Sequence, residues 1–217
     1  MLSAMDSARM AALLAPFLGG EPASADLLAW LQSYLDLLLR WNVRINLTSV
    51  RDPEQIVTRH FGESLFAARV LRDDGAFTCP PVSLADVGSG AGFPGIPIKL
   101  FAPELQITLI ESQNKKATFL KEAIRTLELE NSEVYPGRAE HWGKTARIVT
   151  MRAVERLESV IPVATRLLSK GGRLCLLVNS SSRPMYSKLA RNTELVFNVV
   201  RIMPESANRH VVVVKMS

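Results

Sequence analysis

Apolar and polar positions follow two different patterns along this 217-residue chain, and the change falls near residue 82. Before it the spacing is helical. Leu27, Leu31, Tyr34, Leu35, Leu38 and Leu39 recur at three- and four-residue intervals, which predicts a helix over 26–40 capped by Ser24 or Asp26. Asp52, Pro53 and Gln55 read as the cap, first residue and return partner of a second helix. Its apolar face collects Ile56, Val57, His60, Phe61, Ser64, Leu65 and Ala68. Further upstream, the apolar run Ala11 to Leu18 is broken by Pro16 and preceded by Asp6, so it reads as a short amphipathic helix and not as a secretory leader. Asp73-Asp74-Gly75 and Pro80-Pro81 mark a linker.

From Val82 onward, short β-branched and apolar runs alternate with helical stretches. Strands are predicted at 82–87, 106–110, 134–135, 146–151 and 173–178, with a closing strand pair at 194–203 and 210–216. Helices are predicted after the first strand, from a cap at Asn114, over 156–168 and over 184–191, and Lys170-Gly171-Gly172 reads as a turn. This alternation predicts an α/β fold with a doubly wound, mostly parallel seven-stranded sheet and one antiparallel member. Residues 1–81 then form an N-terminal helical extension and 82–217 the core, packed as one compact unit. Ligands of such sheets bind outside the carboxyl ends of the strands. Asp86, Glu111, Ala139 and Arg152 each follow a strand in that position.

The first strand runs into Asp86-Val87-Gly88-Ser89-Gly90-Ala91-Gly92-Phe93-Pro94-Gly95, with Pro94 and Pro97 suited to a helix's first turn. A strand, a glycine turn and a helix start make a nucleotide-type site. Two ligands compete for it. Gly90-x-Gly92-x-x-Gly95 with Glu111 about 20 residues on fits a dinucleotide pattern and an NAD(P)-dependent oxidoreductase. The acid-x-Gly-x-Gly-x-Gly pattern starting at Asp86 is similar to the first motif of S-adenosylmethionine-dependent methyltransferases. A carboxylate at the strand end repels a pyrophosphate but suits a cationic, amine-bearing ligand. Glu111 can accept two hydrogen bonds from a ribose diol. Ala139-Glu140 can meet an adenine edge, and Arg152 can pair a carboxylate or phosphate, or else form a salt bridge to Asp86 or Glu111.

The net charge is +5 and unevenly placed: residues 1–81 carry 7 Lys/Arg against 9 Asp/Glu, and residues 82–217 carry 19 against 12. The half with the glycine loop is therefore the basic one, compatible with a nucleic-acid partner. Cys79 and Cys175 lie far apart with no metal-ligand spacing, which suits reduced thiols in a cytoplasmic protein. No apolar run approaches the roughly 20 residues of a membrane span.

Trp41-Asn42-x-x-Ile45-Asn46-Leu47-Thr48, Arg51-Asp52, Arg59-His60 with Ser64-Leu65, Phe93-Pro94-Gly95-Ile96-Pro97, Phe119-Leu120, Leu129-Glu130-Asn131, Arg138-Ala139-Glu140 and Arg209-His210-Val211-Val212-Val213 together carry a specific resemblance. From about residue 30 onward the chain resembles the bacterial 16S ribosomal-RNA guanine-N7 methyltransferases, the glucose-inhibited division protein B family. The resemblance implies a class I S-adenosylmethionine-dependent methyltransferase fold and a guanosine of the 530 loop as substrate, within the small ribosomal subunit or an assembly intermediate. It implies cofactor contacts from Gly88, Gly90, Phe93, Glu111, Ala139, Glu140 and Arg152, with Glu111 in place of the family's more usual Asp. RNA contacts are expected from Arg44, Asn46, Arg59, His60, Lys99 and Arg209 around the cleft mouth, binding phosphate. No metal is expected, and the chain is expected to act as a monomer. Two segments depart from the family pattern: Met151-Arg152-Ala153-Val154-Glu155 and Asn179-Ser180-Ser181-Ser182-Arg183. Guanine N7 carries no proton, so methyl transfer needs no general base and should be nearly flat from about pH 6 to 9. A non-catalytic RNA-binding protein with a vestigial cofactor fold is the competing class.

Overall fold

A computed structural model describes residues 5–78, 80–152, 157–179, 195–206 and 208–216. The helix expected over 184–191, Cys79, and the departures at 153–155 and 180–183 lie outside the described residues.

The chain opens with helices α1 (Ser7–Leu18) and α2 (Ala25–Asn42). Asp6 caps α1 and Ser24 caps α2, each accepting a backbone N–H that the helix leaves unpaired. Pro16 does not break α1. It lies inside the helix, near its C-terminal end, and Gly19 closes the helix in a left-handed conformation. A long helical segment follows: α3 (Pro53–Ile56), a π-helical turn (Val57–Gly62) and α4 (Glu63–Asp73). Asp52 caps it through the Gln55 N–H at 2.8 Å. The wide turn holds Arg59 and His60, and such turns concentrate at functional sites. At Gly62 a side chain would collide with the Phe17 ring, so the glycine lets α1 pack against the turn.

The core is β1 (Ser83–Val87), α5 (Gly95–Phe101), β2 (Gln106–Ile110), α6 (Asn114–Thr126), β3 (Ser132–Tyr135), a 3₁₀ turn (Ala139–His141), β4 (Ala146–Arg152), α7 (Leu157–Leu167), β5 (Leu168–Asn179), β6 (Leu195–Ile202) and β7 (Arg209–Met216). The sheet order is β3-β2-β1-β4-β5-β7-β6, with β7 antiparallel to both of its neighbours. Lys170-Gly171-Gly172 is not a free turn. It bulges within β5, where pairing to β4 jumps from Ala146–Leu168 to Ile148–Arg173 and Gly171 takes a positive φ. The cap expected at Asn114 shifts by one: Asn114 is already helical, and Gln113 precedes it.

Successive strand residues face opposite sides of a sheet. Leu84, Ile148, Cys175, Leu177, Val211 and Val213 join the core beneath α1, α2, α4, α5 and α6. Ala85, Val149, Met151, Leu174, Leu176, Val212 and Val214 join the core beneath α7. Burial on both faces explains why these strands read as continuous apolar runs. Because α4 packs on the first of these faces, Glu63 of the N-terminal helices reaches the carboxyl end of β4 and the start of β7.

Candidate functional site

The loop after β1 crosses the carboxyl edge of the sheet. Gly88 and Ser89 donate N–H groups to the Ile110 carbonyl at 2.9 and 3.1 Å, which ties the loop to β2. Gly88 has φ +69°, and a Cβ there would meet nothing within 4 Å. The glycine thus serves a left-handed turn and leaves open space above bare backbone. Across that space, Glu111 is buried with both oxygens engaged: Oε2 accepts the Gly90 N–H at 2.9 Å and Oε1 the Gln113 N–H at 2.7 Å. Each oxygen keeps a lone pair for a further donor. Ala139 is buried and begins the 3₁₀ turn, where N–H groups have no partner within the turn, and Glu140 beside it is exposed.

Asp86 sits underneath. It is fully buried, and its Oδ1 accepts the Thr150 hydroxyl at 2.7 Å and its Oδ2 the Gly95 N–H at 3.2 Å. The expectation of a ligand-facing carboxylate is therefore corrected. Asp86 fastens the glycine loop and the start of α5 to β4, and burial pushes its pKa up to about 6.

The second half of the site comes from the extension. The Phe93 ring stacks on His60 at 4.8 Å between centroids and contacts Tyr34 and Phe61 at 5.5 and 5.8 Å. The Tyr34 hydroxyl donates to the Ala91 carbonyl. His60 Nε2 pairs with the Thr48 hydroxyl at 2.8 Å, and the Asn42 side chain holds the backbone of Leu47 and Thr48 in place. His60 Nδ1 is buried and has no hydrogen-bond partner among the described residues. Burial, then the Arg152 guanidinium, lowers the His60 pKa to about 3, so the ring is neutral and cannot act as a phosphate-binding cation.

Arg152 ends β4 and lies over Phe93 at 6.0 Å. Its salt bridge goes neither to Asp86 nor to Glu111 but to Glu63 of α4, with Nη2 at 2.9 Å from Oε2; Nη2 also donates to the Arg59 carbonyl. Arg209, at the start of antiparallel β7 and hence at the same edge, pairs with the other Glu63 oxygen. Arg152 Nη1 is buried and has no partner among the described residues.

The expected RNA-facing group separates. Arg44, Asn46 and Arg59 are exposed on the extension. Lys99 is not at the cleft. It is 2% exposed, near the C-terminus of α5, and its Nζ donates to the Pro103 and Leu105 carbonyls at the amino-end side of the sheet. The ammonium thereby satisfies two carbonyls of the connection between α5 and β2. Glu63, Thr48 and Thr150 were not anticipated. For Glu63 a signal existed: an acid inside the buried run Phe61 to Ala68 requires a partner.

The glycine loop, the opposed carboxylate and the seven-stranded order with reversed β7 define an S-adenosylmethionine-dependent methyltransferase of class I. Solved structures agree on the fold. A SAM-dependent methyltransferase from Aquifex aeolicus matches with TM-score 0.61 and 15% identity over 79% of this chain and 97% of that one. The ribosomal protein L11 methylase from Lactobacillus delbrueckii subsp. bulgaricus matches with TM-score 0.59 and 13% identity over 72% and 79%. Within that class the chain belongs to the GidB family, rRNA small subunit methyltransferase G, whose profile matches residues 27–212. Ribosomal RNA small subunit methyltransferase G of Xanthomonas campestris pv. campestris (strain B100) is 42% identical over 167 residues, 76% of this chain and 75% of that one. The same-named protein of Stenotrophomonas maltophilia (strain K279a) is 43% identical over 169 residues, 77% and 76%.

Proposed function

We propose that the protein transfers a methyl group from S-adenosylmethionine to N7 of a guanosine in the 530 loop of 16S ribosomal RNA. The observation that supports this site is the open glycine cradle by Glu111, flanked by a buried Arg152 N–H group and a buried His60 ring nitrogen that have no partner among the described residues. These residues fit the cofactor. Gly88, Gly90 and Glu111 would hold its ribose side, Ala139 and Glu140 its adenine, and Phe93 and Arg152 its amino-acid end. When bound, the cofactor supplies a sulfonium-activated methyl group.

The chain's own residues orient and shield. Guanine N7 presents an in-plane lone pair and no proton, so no group has to remove one. Neutral His60 suits that chemistry, because it neither takes up a proton near pH 7 nor adds a cation beside the guanine, where positive charge develops. The aromatic group of Tyr34, Phe61, Phe93 and His60 excludes water from one wall, so positioning is the main source of rate. Arg44 and Arg59 would meet phosphate, with Asn46 beside them, and Arg209 would act from within its ion pair. The extension and core would work as one unit, as a cytoplasmic monomer acting on the small subunit or an assembly intermediate. Among the described residues no helix is long and apolar enough to cross a membrane.

Calorimetry with S-adenosylmethionine and with NAD tests the cofactor: binding of the first alone is expected, and tight NAD binding without the other would overturn the reading. Transfer of a radiolabelled methyl group to ribosomal RNA separates the enzyme from a vestigial RNA-binding fold.

A further inference from the structure

Glu63 has no part in the glycine loop, yet two arginines of the core converge on it. It stands at the first residue of α4, 5% exposed, with Arg152 on one oxygen and Arg209 on the other. Arg152 closes β4 and Arg209 opens β7, and in the sheet these strands flank β5. One carboxylate therefore joins the extension to two separate strand ends at the carboxyl edge. The Arg59 carbonyl, four residues before Glu63, takes a further hydrogen bond from Arg152 Nη2. With Nη2 held twice, the guanidinium plane is fixed. Nη1 is left buried and unpaired among the described residues, on a guanidinium that lies over the Phe93 ring.

A guanidinium over an aromatic face has several rotamers of similar energy, and immobilising a long side chain costs entropy on binding. A carboxylate that pins one edge removes that freedom before the ligand arrives. It also lowers the positive charge of three clustered arginines, Arg59, Arg152 and Arg209, close to the place where a sulfonium would have to sit.

We propose that Glu63 is a positioning residue for the cofactor: it presets Arg152 so that the free Nη1 faces the amino-acid end of S-adenosylmethionine, and it makes the extension a working part of the cofactor site. This rests on the function proposed above. Glu63→Gln keeps the size of the side chain and removes its charge. The expected result is a folded protein whose affinity for S-adenosylmethionine falls about tenfold by calorimetry, while RNA affinity of the cofactor-free protein does not fall, since Arg59 and Arg209 keep their charge. In an Arg152→Ala background the same substitution should no longer alter cofactor affinity. Glu63→Asp keeps the charge but shortens the reach, so it should fold and still lose cofactor affinity selectively; it carries the test if Glu63→Gln does not fold. Unchanged affinity in both variants, or an equal loss with and without Arg152, would overturn the proposal. Wild-type protein that binds no S-adenosylmethionine would overturn the function reading and this proposal together. That outcome is separable, because it appears before any variant is compared.

Discussion

His60 titrates far below its ordinary range, and this makes the stability of the protein pH-dependent in a way that a single substitution can isolate. Its pKa is about 3 in the folded chain against 6.5 for an unperturbed histidine, because burial and the guanidiniums of Arg152, Arg59 and Arg209 oppose the charged form. Between those values the unfolded chain binds a proton that the folded chain does not. Stability is therefore full above pH 6.5 and is lost as pH falls toward 3. Going from pH 7 to pH 5, the loss from His60 is about 2 kcal/mol. Asp86 acts in the opposite direction. Its pKa is raised to about 6 from 3.8, so the folded chain takes up a proton first as pH falls. That returns about 1 kcal/mol over the same interval. Wild-type protein thus shows a shallow net change from these two groups. His60→Gln removes only the first contribution. Urea unfolding of both proteins at pH 7, 6 and 5 should show the difference between them moving in favour of the variant by about 2 kcal/mol, with all other titrating groups cancelling. Parallel curves would mean that His60 is solvated, and movement in favour of wild type would mean that the folded state holds His60 protonated. Either result refutes the neutral, ring-stacked histidine. The same neutrality sets the kinetic expectation. Single-turnover methyl transfer at saturating RNA and cofactor should be flat from about pH 7 to 9. Titration of Asp86 near pH 6 narrows the window that the absence of a base alone would allow. A steep rise near neutrality that vanishes in His60→Ala would show a general base and overturn N7 as the acceptor.

Arg152→Ala should weaken cofactor binding while leaving it measurable by calorimetry, and also lower stability, by about 2–4 kcal/mol, since it leaves a buried carboxylate with one partner instead of two. Thermal unfolding should fall by about 5–10 °C, and an unchanged midpoint would place Arg152 in solvent. Lys99→Met should cost about 1–3 kcal/mol through two unsatisfied carbonyls and leave RNA affinity unchanged in a filter-binding assay; a drop in RNA affinity at unchanged stability would return Lys99 to the RNA face. Arg59→Glu should reduce methylation of ribosomal RNA and the salt dependence of RNA binding while cofactor affinity stays as in wild type, and full methylation would make Arg59 scaffold only.

Much of the architecture was legible because it follows from local rules. A strand buried on both faces is mostly apolar, so β1, β2, β4, the second half of β5 and β7 appeared as short apolar runs, and the acid and glycines that end β1 marked the edge expected to bind a ligand. The caps at Ser24 and Asp52 were legible for the same reason, since the side chain and the N–H it satisfies lie two or three residues apart. Glu111 could be placed beside the glycine loop from its position after β2 alone. The errors share one cause: each residue's role depended on a partner far away in the chain. Lys99 carries a charge that suits RNA, but the backbone turns its Nζ onto two carbonyls. His60 has a residue type that suits proton transfer or phosphate, but burial, and after it the guanidinium of Arg152, hold it neutral. Arg152 could have paired with any nearby acid. Its partner is 89 positions earlier, on a helix whose contact with the sheet no local pattern encodes. Sequence alone determined the elements and the edge at which a ligand binds, because hydrogen-bonded turns and burial periodicity act within a few residues. Only the tertiary structure decided which charges meet there, because desolvation and ion pairing depend on what packs across the cleft.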